Sequence, residues 1–160
     1  MENIIYIILL AVHNIALVGC AAAPFYNLRL VTVRSQYGKK VFYEMDKVVE
    51  DTIQGLEPYC WSFIFLLFFT GIGFPITHYI FHNQVKETSN VVKIAFGIKH
   101  LLVFGMVGIA FYISFFINPK IKIEFNKFIP NSEVTAEVSK TFFTLRAKRK
   151  QLCKICFVFA

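Results

Sequence analysis

An all-α integral membrane helical bundle, with three full transmembrane helices and an amphipathic or truncated fourth helix, is the fold class this sequence predicts. Three apolar stretches carry the prediction, from about residue 4 to 26, 59 to 82 and 94 to 117. Each runs for about 23 residues, and about 20 suffice to cross the ~30 Å hydrocarbon core of a bilayer. Composition agrees: 56% of residues are hydrophobic and 19 of 160 are Phe, far from soluble usage. Residues 1–160 read as a single membrane domain, with a polar loop over 27–58 and a basic segment with a C-terminal helix over 118–160.

The first stretch has Glu2 as its only early charge and lacks the basic start of a secretory signal. Cleavage after the alanines at 21 to 23 is the alternative, opposed by Pro24 and by the missing N-terminal lysines. In the following loop Val41, Met45, Val48, Val49 and Ile53 recur at helical spacing. Glu44, Asp46, Glu50 and Asp51 fall largely on the other face, which predicts an interfacial or connecting helix. The second stretch, Tyr59 to His82, and the third, Ile94 to Ile117, follow. Pro119 is expected to stop the third span, and Lys120 to Phe125 is too short to define a strand. Pro130 and Asn131 break the chain, with an N-cap at Ser132. A helix then runs from Glu133 through "LRAKRKQ" into "LCKICFVFA". Its apolar end, Leu152 to Ala160, covers about nine residues, too few to cross a bilayer. It reads as the opening of a fourth span, a short re-entrant segment or an interfacial anchor.

Charge gives an orientation. The loop after the first span carries Arg29, Arg34, Lys39, Lys40 and Lys47. The segment after the third carries Lys120, Lys122, Lys127, Lys140, Arg146, Lys148, Arg149 and Lys150, whereas the link between spans two and three has only Lys86 and Lys93. The positive-inside rule then puts the N-terminus outside and both basic segments in the cytoplasm, as in a bacterial inner membrane. The net charge of +7 is thereby a topology signal and an attraction to anionic lipid headgroups. Nucleic acid is not the expected partner, because the charge sits beside membrane spans.

Ionisable residues inside a membrane are costly and face a bundle interior, a cofactor or a partner. Counting ~1.5 Å per residue from the outer ends, His13 is ~14 Å deep, His100 ~9 Å and His78 ~6 Å, with His82 at the surface. All four histidines therefore fall in one half of the membrane. Two imidazoles on facing helices are what a haem b iron asks for. The pair His13 and His100 is the first choice for the haem iron, His13 with His78 the second. Small residues near them (Ala16, Gly19, Gly97, Gly105) leave room for a macrocycle or simply let helices pack closely. Lys99, beside His100, either snorkels or meets a propionate, an acidic partner or a quinone oxygen inside the bundle. A soft copper site would need thiolates or thioethers near the histidines, and Cys20, Met106 and Met1 are the only candidates. Cys153 and Cys156 form a CxxC without the second pair that structural zinc requires. No phosphate loop, activated nucleophile or paired catalytic carboxylates are recognisable.

The string "LLAVHNIALVGCAAAPFYNLRLV" resembles the first span of copper-resistance D-type and HemJ-type (protoporphyrinogen oxidase) four-helix membrane proteins, through His13, Gly19 and Arg29. "FFTGIG" resembles their second span, and "IKHLLVFGMVGIAFY", with Lys99, their third. "FTLRAKRKQLCKICFVFA" resembles the arginine-rich entry to their fourth. The resemblance implies haem b at His13 and Lys99. Departures are the short fourth span and the longer, more basic loops.

The expected function is a haem b-binding subunit that transfers electrons, to or from quinone or a partner cytochrome, within a larger respiratory or redox complex. The alternatives are a haem-free accessory subunit that packs against other membrane subunits, and a HemJ-like oxidase or copper-transport-like protein.

Overall fold

A computed structural model describes residues 1–38, 40–84, 89–128 and 136–159, with the side chain of Ala136 outside that description. Among the described residues all regular structure is helical, with no strand. Helix α1 covers Glu2–Ser35, α2 Tyr43–Gly55, α3 Glu57–His82, α4 Asn90–Tyr112, α5 Asn118–Phe125 and α6 Ala136–Phe159. A π-helical turn, Ile113–Ile117, joins α4 to α5 without a break. Three of the continuous helical stretches are long and apolar enough to cross a membrane, and the chain is a membrane protein.

The first span passes well beyond its apolar stretch because nothing in it stops a helix. Pro24 lies inside α1 and is buried against the bundle, as membrane helices tolerate. Helices α1 and α3 run antiparallel along their whole apolar length. Glu2 meets His82, Tyr6 meets Phe74, and His13 meets Thr70. Two glycines set how closely they approach. A Cβ added at Gly73 would stand 2.9 Å from Leu9, and one at Gly19 only 2.5 Å from the Phe63 ring. The small residue after His13 thus serves helix packing against Phe63.

Helix α4 begins at Ser89, whose hydroxyl accepts the Val92 N–H at 3.4 Å. Pro119, expected to end the third span, does not. It lies directly after the π-helical turn, within the continuous helix, which runs on to Phe125. Lys120 to Phe125 is accordingly helical.

Helix α6 enters the bundle rather than lying across its surface. Lys150 reaches Ser35 and Phe157 reaches Phe25 on α1; Lys148 reaches Tyr112 and Phe159 packs on Gly105 of α4. It is antiparallel to both, and its last turns supply the fourth helix at one end of the molecule. The expected N-cap at Ser132 lies outside the described residues, as do Lys39 and Lys86.

Two cores follow. In the apolar middle, Ala16, Cys20, Ile64, Leu67, Met106 and Cys156 are buried together. At the end carrying the basic residues, Ile117, Ile121 and Phe125 recur every four residues and bury one face of the π-turn and α5 against Phe128 and Phe142. Beside them Val31 of α1 packs on Val49 and Ile53 of α2.

The approach at Gly19 is checked by Gly19→Ala. The added methyl must displace Phe63, which is expected to cost about 1–3 kcal/mol in detergent unfolding, whereas Gly71→Ala, with open space around its Cβ, is expected to leave stability unchanged. Equal stability of both variants would show that α1 and α3 do not meet at Gly19.

Candidate functional site

His13 is the histidine that the fold places between helices. It is partly buried on α1, and its Nδ1 lies 2.8 Å from Thr70 Oγ1 on α3. The Thr70 hydroxyl also sits 2.7 Å from the Leu66 carbonyl of its own helix. A hydroxyl has one proton and a carbonyl can only accept, so that proton goes to Leu66 and the imidazole Nδ1–H donates to Thr70. Nε2 is then left with its lone pair. Phe74 stands edge-on to the ring with centroids 5.7 Å apart, which fixes its plane. Lys99 of α4 is exposed.

His100 does not join this group. One residue past Lys99, it projects about 100° further round α4; it is exposed, and its Nδ1 lies 2.6 Å from the Phe96 carbonyl one turn back. His13 is thus held against α3, while His100 stands exposed on α4 with its Nδ1 at the Phe96 carbonyl. His78 and His82 share the end of α3 as their spacing predicts, with ring centroids 4.6 Å apart. Their polar atoms are committed elsewhere, His78 Nδ1 at 3.0 Å from the Gln84 carbonyl and His82 Nε2 at 2.8 Å from Glu2. Among the described residues no three His, Cys, Asp or Glu side chains are arranged to hold a bare metal ion. Cys20, Cys153 and Cys156 are buried free thiols.

The opposite end holds a second constellation, which the periodicity of α2 concealed. Asp46 and Glu50, expected on the solvent face, are 0% and 1% exposed. They share the inward stripe Asp46, Val49, Glu50, Ile53, while Glu44 and Asp51 face outward as expected. The stripe buries because arginines come to meet it. Arg34 at the end of α1 grips Asp46 through Nε at 2.5 Å and Nη2 at 2.8 Å, and also donates to the Gly38 and Lys40 carbonyls. Arg146 of α6 bridges Glu50, at 2.7 Å, and Asp46. Its guanidinium lies over the Phe142 ring, 4.5 Å from the centroid.

Arg149, 0% exposed, takes both Glu50 oxygens at 2.7 and 2.8 Å and the Asn118 carbonyl oxygen at 3.1 Å. Asn118 in turn donates to Glu57 at the start of α3. One hydrogen-bonded chain of seven side chains thus ties α1, α2, α3, α5 and α6 together. A sequence signal for it exists. Phe142, Arg146, Arg149, Cys153 and Cys156 are all buried and follow one another at alternating four- and three-residue steps, a single helical stripe.

Burial alone would raise the Asp46 carboxyl. The Arg34 hydrogen bonds, the Arg146 charge and the Phe42 N–H (2.9 Å) outweigh it, so the group is held below its ordinary value of 3.8.

No protein-family model, no curated protein and no solved structure matches this chain.

Two predictions follow from the ionic chain. Removing one partner leaves a buried unpaired charge, so Glu50→Ala is expected to destabilise by about 3–5 kcal/mol, read by unfolding in detergent; a cost near zero would mean the network is solvated. Because the folded Asp46 carboxyl is depressed, its contribution is complete above pH 3.8 and is lost as pH falls from there through the folded value. Asp46→Asn is expected to flatten that part of the acid stability profile, and an unchanged profile would show that Asp46 does not carry it.

Proposed function

We propose that the chain is a haem b-binding membrane subunit that takes part in electron transfer within a larger redox complex. The observation that carries this reading is the His13–Thr70 hydrogen bond, which orients an imidazole between helices with Nε2 free for iron. Ligating histidines typically have the other ring nitrogen held in this way, which fixes tautomer and ring direction.

The donor set suits a porphyrin better than a bare ion. A porphyrin brings its own four equatorial nitrogens and asks the protein for one or two axial ligands. His13 would hold the iron, and Lys99 would supply positive charge for a propionate. When bound, the group contributes a one-electron couple. The chain's own residues hold the imidazole plane through Thr70 and Phe74. The resemblance to HemJ-type proteins points to the same two positions, His13 and Lys99, which keeps an oxidase acting on a porphyrin as the second reading.

In this reading the basic end faces the cytoplasm and the His78–His82 end faces outside, following the lysine and arginine distribution. The exposed aromatic and aliphatic residues of α4 from Val91 to Leu102 suit a chain seated among other membrane subunits, with quinone or a partner cytochrome as the electron donor or acceptor.

The test is a reduced-minus-oxidised visible spectrum of the chain purified with its native partners and then alone. A b-type signal that stays with the chain is expected, lost in His13→Ala and retained in His100→Ala. Thr70→Val keeps the shape and removes the hydroxyl, so it is expected to weaken haem retention by about 10-fold or more. A complex that stays intact only with this chain but shows no b-type signal would instead make it a haem-free accessory subunit. A signal that survives in His13→Ala would remove the site.

A further inference from the structure

The side of the basic end that faces away from the ionic chain carries a second arrangement of cations. Lys148 precedes Arg149, and where Arg149 turns into the protein Lys148 turns out. Its ammonium donates to the Tyr112 hydroxyl at 2.8 Å and stands 5.1 Å from the centre of the ring. Lys120, at the start of α5, is exposed further along the same continuous helix. All three side chains are exposed, and among the described residues neither lysine has a carboxylate within ion-pairing distance.

A π-helical turn interrupts the α-helical register here. It lies between Tyr112 and Asn118, and the register of a π-turn differs from that of an α-helix. Asn118 can face inward to Arg149 and Glu57 while Tyr112 stays outward, stacked on Phe116 with ring centroids 5.6 Å apart. Turns of this kind are found frequently at functional sites.

We propose that Lys148, Lys120 and Tyr112 form a binding site for the headgroup phosphate of an anionic phospholipid in the leaflet at the basic end. A phosphodiester offers one negative charge and acceptor oxygens, which two ammonium groups and a phenol match. The phenol oxygen accepts from Lys148, so its own proton is free to donate to a phosphate oxygen. Phe115 and Phe116, exposed beside Tyr112, provide the apolar surface along which an acyl chain lies. The site is about one and a half helical turns from the Asn118 level, within reach of headgroups for a lysine that extends along the bilayer normal. It does not depend on haem.

The experiment measures phosphatidylglycerol binding to the full-length chain in mild detergent by native mass spectrometry, with phosphatidylcholine as the uncharged reference. Each lysine near a charged surface contributes a factor of about five. The double variant Lys120→Gln, Lys148→Gln is therefore expected to bind phosphatidylglycerol about 25-fold more weakly, and Tyr112→Phe more weakly than the unaltered chain. A control that removes the same charge from other exposed positions, Lys47→Gln with Lys140→Gln, is expected to keep its affinity within about twofold. Equal loss in the two double variants would mean that diffuse attraction, not a site, holds the lipid. Unchanged affinity in Lys120→Gln, Lys148→Gln would place the lipid elsewhere. Displacement of the lipid by millimolar inorganic phosphate would show a free-anion site instead.

Discussion

Everything at the basic end depends on a single constraint: Asp46 and Glu50 are buried, and three arginines from two other helices must reach them. Taking carboxylates and guanidinium groups out of water is expensive, and the attraction between them offsets that cost only where the geometry is good. Here it is. Arg34 and Arg149 each engage a carboxylate through two donors, and Arg146 spans both acids. The gain is less in stability than in uniqueness. Rotating α6 by one residue would swing Arg149 outward and Lys148 inward, leaving Glu50 without its clamp. Helix rotation is thereby fixed at an end where apolar packing alone would tolerate several settings.

That constraint matters more in a membrane protein than it would in water. Between transmembrane helices there is no hydrophobic driving force, since lipid tails are as apolar as leucine. Close packing at small residues and polar contacts across helices must do the work. Both are present and they divide the molecule. Helices α1 and α3 meet at Gly19 and Gly73 in the apolar region, and the ionic chain ties α1, α2, α3, α5 and α6 at the basic end. Between these, α6 contributes its last turns, with Cys156 in the core beside Ala16 and Met106.

The sequence made the long helices legible because membrane thickness dictates the length of an apolar run. It did not reveal which side of α2 faces inward. Amphipathic reasoning counts Asp46 and Glu50 as outward, and only the arginines of α1 and α6, distant in the chain, reverse that. Pro119 misled as well. A proline is a stop signal in mid-helix, yet here it lies directly after the π-helical turn and the helix runs on. The depth of each histidine could be counted, but its direction around the helix could not. His13 and His100 count to similar depths, yet His13 lies against Thr70 of α3 while His100 stands exposed on α4. Thr70, the partner that orients His13, stands in the string "FFTGIG" and, like Thr77, also bonds its own helix.

The two ends of the chain are built to different tolerances. At the basic end α1, α2 and α6 are tied through charged side chains that are almost fully buried. At the other, α4 from Val91 to Leu102 exposes its large apolar residues and Lys99 and His100 with them, while α1 and α3 remain joined through His13–Thr70 and Glu2–His82. An ammonium on an exposed stretch of membrane helix needs an anionic partner or a path to water. A rigid base with an adaptable opposite end suits a protein that must first hold its own register and then accommodate something else beside α4. Under the haem reading proposed above, the imidazole of His13, held by Thr70, and the cation of Lys99 would be the groups this end offers to a porphyrin and its propionate.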